Sequence, residues 1–92
     1  MAAGVAVSVT TSATTLIAAN PKRISLFVQN LHTVSIFFSE TSGVTTANGL
    51  ELKPNEMIVE EYDGHETRYT GAYFGIVASG TADVRVWERT LI

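Results

Sequence analysis

Cysteine is absent from this chain of 92 residues, which removes disulfide staples, thiolate zinc sites and cysteine nucleophiles from consideration. Charge is also scarce, at 16% of residues. The six Lys and Arg side chains are scattered, with only Lys22 and Arg23 adjacent, and the formal net charge is -3, so no basic face is expected to neutralise a run of phosphates. Nucleic acid is therefore not an expected partner. No uncharged apolar stretch approaches the roughly 20 residues that a spanning helix needs, because Ser, Thr and Gly interrupt every candidate, and no membrane partner is expected. Met1 to Leu16 lacks the positive flank of a secretory signal, the first basic residue being Lys22, so no signal peptide is read there.

What the chain has in quantity is apolar side chain. Hydrophobic residues make up 46%, whereas a domain of this length hides only about 60 to 65% of its unfolded surface when it folds alone. The surplus points to contacts with other chains, and a homo-oligomer is the expected state.

The hydrophobic pattern has the period of two that marks half-buried strands, and no segment reads convincingly as a helix. Residues 1–15 are almost wholly Ala, Val, Ser, Thr and Gly, with Val5, Val7 and Val9 alternating against small residues. This segment is read as an extended amino-terminal arm, whose uncharged backbone could add a strand to a neighbouring subunit. Residues 16–92 are read as one β-sandwich domain. Asn20-Pro21 forces a turn before a strand from Arg23 to Gln29, with Ile24, Leu26 and Val28 on the core side. Asn30 to Thr33 then connects to a second strand, Val34 to Phe38, in the simplest case as a hairpin. Ser39 to Gly49 has the composition of a surface loop. Leu50 to Leu52 and Met57 to Tyr62, separated by Pro54-Asn55, read as another strand pair. Ala72 to Ala78 and Ala82 to Glu88, joined at Ser79-Gly80-Thr81, read as a last hairpin with Val84 and Val86 inward and Trp87 outward. Seven to eight short strands with regular turn signals give the expected fold class: all-β, a small antiparallel β-sandwich or jelly roll.

Chemistry-bearing patterns are sparse. His32 and His65 sit in separate turns, and although His65 lies near Asp63 and Glu66, the spacing matches no metal-ligand motif. Glu51, Glu60 and Glu61 are the candidate acid and base carboxylates, but Glu60 and Glu61 are adjacent on a strand and face opposite sides, so a charged strand face is the favoured reading. No Gly-x-Ser-x-Gly elbow is present, and no glycine cluster has the form that cradles a phosphate. No catalytic residue, metal ligand or cofactor is expected, and the chain is not read as an enzyme. Gly75, inside a strand, suggests a bulge or a close approach of backbone. Phe27, Phe37 and Trp87 fall on otherwise polar strand faces, and together with Val5, Val7 and Val9 they are the candidate partner-contact residues.

The runs Ala19-Asn20-Pro21-Lys22-Arg23, Ser25-Leu26-Phe27-Val28-Gln29-Asn30 and Gly43-Val44-Thr45-Thr46-Ala47-Asn48-Gly49-Leu50-Glu51-Leu52 are followed by Tyr69-Thr70-Gly71-Ala72-Tyr73 and Ile76 to Glu88. From about residue 16 to residue 89 this arrangement resembles small virion-associated proteins of tailed bacteriophages. The resemblance implies a structural component of a virion, made in the host cytoplasm. The role it favours is a capsid decoration or cement protein that binds the major capsid protein or another virion protein. A tail, fibre-attachment or carbohydrate-binding tip module is the alternative it leaves open. It carries no catalytic residues, and the oligomer it favours is a cyclic trimer, which suits the three-fold positions of an icosahedral shell, with a dimer or pentamer left open.

Overall fold

A computed structural model describes residues 5–61 and 69–90. The described chain is all-β, with eight strands: β1 (Val5–Val9), β2 (Thr14–Ile17), β3 (Arg23–Asn30), β4 (Ile36–Ser39), β5 (Leu50–Leu52), β6 (Met57–Glu61), β7 (Tyr73–Val77) and β8 (Ala82–Thr90). They form two four-stranded antiparallel sheets, the first in the order β1-β8-β3-β6 and the second in the order β2-β7-β4-β5.

Between them the sheets pair β1 with β8, β2 with β7, β3 with β6 and β4 with β5. The chain is thus a ribbon folded back on itself at the β4–β5 loop and wound so that successive pairs alternate between sheets. That winding is a jelly roll, the double-sheet solution that buries two inner faces against each other.

Alternation explains which side chains fill the gap. Val9, Leu26, Val28, Val84 and Val86 from the first sheet meet Leu16, Ile36, Phe38, Leu52, Tyr73 and Val77 from the second. Each fully buried aliphatic side chain in such a gap contributes about 1.5–3 kcal/mol relative to exposure. Gly75 also faces this gap, where an added Cβ would come within 3.0 Å of Leu16 Cδ2, so the close approach expected there is made by a core side chain. In the turn after β5, Asn55 has φ 65° and Glu56 N donates to Lys53 O at 3.0 Å, giving Lys53-Pro54-Asn55-Glu56 the features of a type II turn.

The three strand pairings expected from sequence are not formed. β3 and β4, β5 and β6, and β7 and β8 each lie in different sheets, so each short connection crosses the sandwich. A strand's in-and-out pattern is the same whether its sequence neighbour lies beside it or faces it across the core. Gly80 does take the positive φ, 73°, but in a sheet-to-sheet crossing.

The segment read as an arm is also placed differently. β1 runs antiparallel to β8 in unbroken register from Val5 opposite Val86 to Val9 opposite Ala82. Val9 is fully buried and Val7 packs on the core. Together with β2, which begins at Thr14, it belongs to the sandwich: β1 pairs along the edge of β8 and sends Val7 and Val9 inward beside Val84 and Ala82.

In β3 the register shifts between Arg23 and Ser25. The resulting bulge turns Arg23 inward, to 2% exposure, and leaves Ile24 half-buried, the reverse of the expected alternation at that end.

Candidate interaction face

The outer face of the first sheet carries the largest aromatic pair. Phe27 of β3 is the cross-strand partner of Trp87 of β8, and their rings lie 4.6 Å apart at 32°. On the other side of β3, Phe27 is opposite Val59 and Gln29 is opposite Met57. Val59 and Met57 are 47% and 54% exposed. The Arg89 guanidinium lies 5.2 Å from the Trp87 ring centre and 5.9 Å from that of Phe27, a cation–π arrangement at the rim. Arg85, also on this face, pairs with Asp83. The result is an apolar centre with a charged border, the composition found in protein contact surfaces.

The other candidate contact residues do not join this face. Phe37 lies on β4 with Glu51 and Ile76 as its cross-strand partners, on the outside of the opposite sheet. It is half-buried there, and the nearby Val44, from the segment read as a surface loop, is 3% exposed. Gly49 permits this fit, since a Cβ on it would stand 2.8 Å from Phe37 Cβ and 2.9 Å from Val44 Cγ2. Val7 and Val9 are occupied by the chain's own interior, which removes them as partner contacts. Val5 faces the same way but is 59% exposed at the sandwich edge.

At one end of the sandwich is a polar cluster that sequence reasoning missed. Arg23 Nε donates to Glu88 Oε2 at 2.8 Å, Nη1 to Gly71 O at 2.9 Å and Nη2 to Ala18 O at 2.7 Å. Asn20 Nδ2 donates to the other oxygen of Glu88 at 3.1 Å. Every donor direction of the buried guanidinium that these bonds use fixes one more segment, so the cluster ties the β2–β3 and β7 approaches to β8. The Tyr73 ring lies 5.8 Å from Arg23 Cζ, and its hydroxyl donates to Glu60, 3.1 Å from each carboxylate oxygen. Burial first, and then the Glu60 carboxylate, push the Tyr73 hydroxyl well above its ordinary range, so it stays protonated.

Glu60 and Tyr73 also border a cleft of about 300 Å³ with Phe38, Ser39, Glu40, Asn48 and Leu50. Its geometry pairs a carboxylate with a phenol already bonded to it, which is a structural hydrogen bond. Glu61 is on the outer face of its strand and Glu51 accepts from Ser35 Oγ at 2.7 Å, so the three glutamates are dispersed, as the strand alternation requires. Among the described residues no group of three or more His, Asp or Glu is placed to hold a metal ion. His32 is in the turn after β3, its backbone N–H donating to Asn30 Oδ1 at 2.8 Å. Tyr62, Asp63, His65 and Glu66 lie outside the described residues. Among the described residues no helix is long and apolar enough to cross a membrane.

No known protein family, curated protein or solved structure matches the chain at a significant level.

Proposed function

We propose that this protein is a structural component of a bacteriophage particle, a decoration or cement protein that associates with itself and with the shell. The observation that carries the reading is the outer face of the first sheet, where Phe27, Trp87, Val59 and Met57 form a contiguous apolar centre on a small sandwich. Surface of this kind is stabilised by a partner. The sequence resemblance over residues 16–89 supplies the kind of particle. The jelly-roll winding is compatible with a shell component, but lectins and enzymes of the cupin type use it too, so the face and not the fold supports the proposal.

The test is composition of the particle. In virions produced from a genome carrying this sequence, the protein is expected in stoichiometric amount after banding in a density gradient, and virions lacking it are expected to open at lower temperature. Its absence from banded virions overturns the proposal. Binding to a glycan panel with loss on Trp87→Ala, in a protein located at the tail tip, would move it to the carbohydrate-binding alternative.

A further inference from the structure

Strand register sorts the outer face of the first sheet into rows running across β8, β3 and β6. The middle row is Trp87, Phe27 and Val59. The row on one side is Arg85, Gln29 and Met57, and the row on the other is Arg89, Ser25 and Glu61. Charge is therefore divided between the two flanks: β8 brings two arginines, and β6 brings one carboxylate and two exposed apolar side chains. Arg85 has Asp83 as its partner. Arg89 and Glu61 are both exposed, and neither makes an ion pair among the described residues.

We propose that a second copy of this chain covers the face, related to the first by a two-fold axis running along β3. The inference rests on the reading of this face as an assembly surface and adds the identity and orientation of its occupant. A half-turn about that axis lays β8 of each copy over β6 of the other. Trp87 then meets Val59 of the second copy, the stem of Arg85 meets Met57, and Phe27 meets its own counterpart on the axis. Arg89 comes opposite Glu61, twice, once on each side of the axis. Sheets packed face to face with strands nearly aligned are a common arrangement, so no unusual geometry is required.

Charge decides between this axis and its rival. A two-fold perpendicular to the strands, through the middle row, would set Arg89 opposite Arg85, which Asp83 already pairs, and Glu61 opposite Met57. It leaves both Arg89 and Glu61 in the contact without an opposite charge, which disfavours it. The strand-parallel axis places opposite charges together and closes at two copies, because each surface is used by its own twin. It takes the place of the three-fold arrangement that the resemblance to shell components favoured.

The experiment is a charge swap read by sedimentation velocity of the full chain, with circular dichroism as the check on folding. Both positions are exposed, so Arg89→Glu and Glu61→Arg are expected to fold. Each single substitution sets like charges together twice and is expected to weaken the dimer by about tenfold or more. The double variant Arg89→Glu/Glu61→Arg restores the pairing with its sign reversed and is expected to return to within about threefold of the wild type. A double variant no better than the singles overturns the inference. So does a wild type whose self-association neither single substitution alters; in that case the chain assembles through another surface, and the particle reading is judged by the virion analysis alone. A wild type that stays monomeric yet is present in banded virions also overturns the two-fold contact while leaving the particle role in place.

Discussion

Arg23 and Glu88, 65 positions apart in the chain, close an ion pair of 2.8 Å in which the arginine is 2% exposed. The pair exists because a bulge turns the first residue of β3 inward, toward a carboxylate near the end of β8. Removing one partner from a buried, hydrogen-bonded pair typically costs about 3–5 kcal/mol, since the other charge is left without compensation. Arg23→Met also strips donors from the Ala18 and Gly71 carbonyls. The expected result is a fall in melting temperature of roughly 12 °C or more for a domain of this size. Thermal unfolding followed by circular dichroism checks it, and Arg23→Met/Glu88→Leu should recover only part of the loss, because the two carbonyls remain without their donor.

Tyr73 sets an alkaline limit on stability. Its hydroxyl is held protonated in the folded state above the ordinary value of 10.0, so the unfolded chain releases that proton first as pH rises. The contribution is complete below about pH 10 and is lost as pH climbs from there toward the folded-state value. Urea unfolding between about pH 8 and 11.5 should show wild-type stability falling more steeply than that of Tyr73→Phe, by up to about 1.4 kcal/mol per pH unit. Parallel profiles for the two proteins would contradict this account.

Deleting residues 5–9 tests the placement of β1. The deletion leaves the edge of β8 unpaired along Ala82, Val84 and Val86, each at most 2% exposed, and removes Val9 from the core. Loss of several buried aliphatic contacts together exceeds the typical stability of a small domain. The truncated chain is expected to lack a cooperative unfolding transition and a dispersed proton–nitrogen NMR spectrum. A folded truncated chain would show that the segment is an arm after all.

The elements that could be read from sequence are those governed by local alternation and turn chemistry. Leu26, Val28, Val84 and Val86 face the core as their spacing requires, and Asn55 and Gly80 take positive φ where turns were expected. Sheet membership could not be read this way, because Val34 to Phe38 has the same pattern beside β3 as across from it. Nor could the β3 bulge, which exchanges the roles of Arg23 and Ile24. Asn30 looked like a loop residue, yet it is fully buried, with Nδ2 donating to Val34 O at 3.0 Å and Leu52 O at 2.9 Å. The Leu52 carbonyl belongs to a distant segment, and no local signal announces it. For the candidate face, sequence supplied Phe27 and Trp87 as outward aromatics. Their contact depends on the β3–β8 register, and so does the separation of both from Phe37 on the opposite sheet.

The most direct test of the central claim is the mass of the protein in solution as a function of concentration, with the face intact and with it interrupted. Val59→Lys places a charge in the apolar row, at its β6 end and at a position 47% exposed, where the fold tolerates it. Sedimentation velocity over about 5 to 300 µM, the range in which modest interfaces populate their complexes, should show wild-type mass rising above that of one chain. Val59→Lys should remain a monomer throughout, with an unchanged circular dichroism spectrum. If wild type and Val59→Lys sediment identically across that range, the outer face of the first sheet is not a self-association surface, and the account fails at its centre.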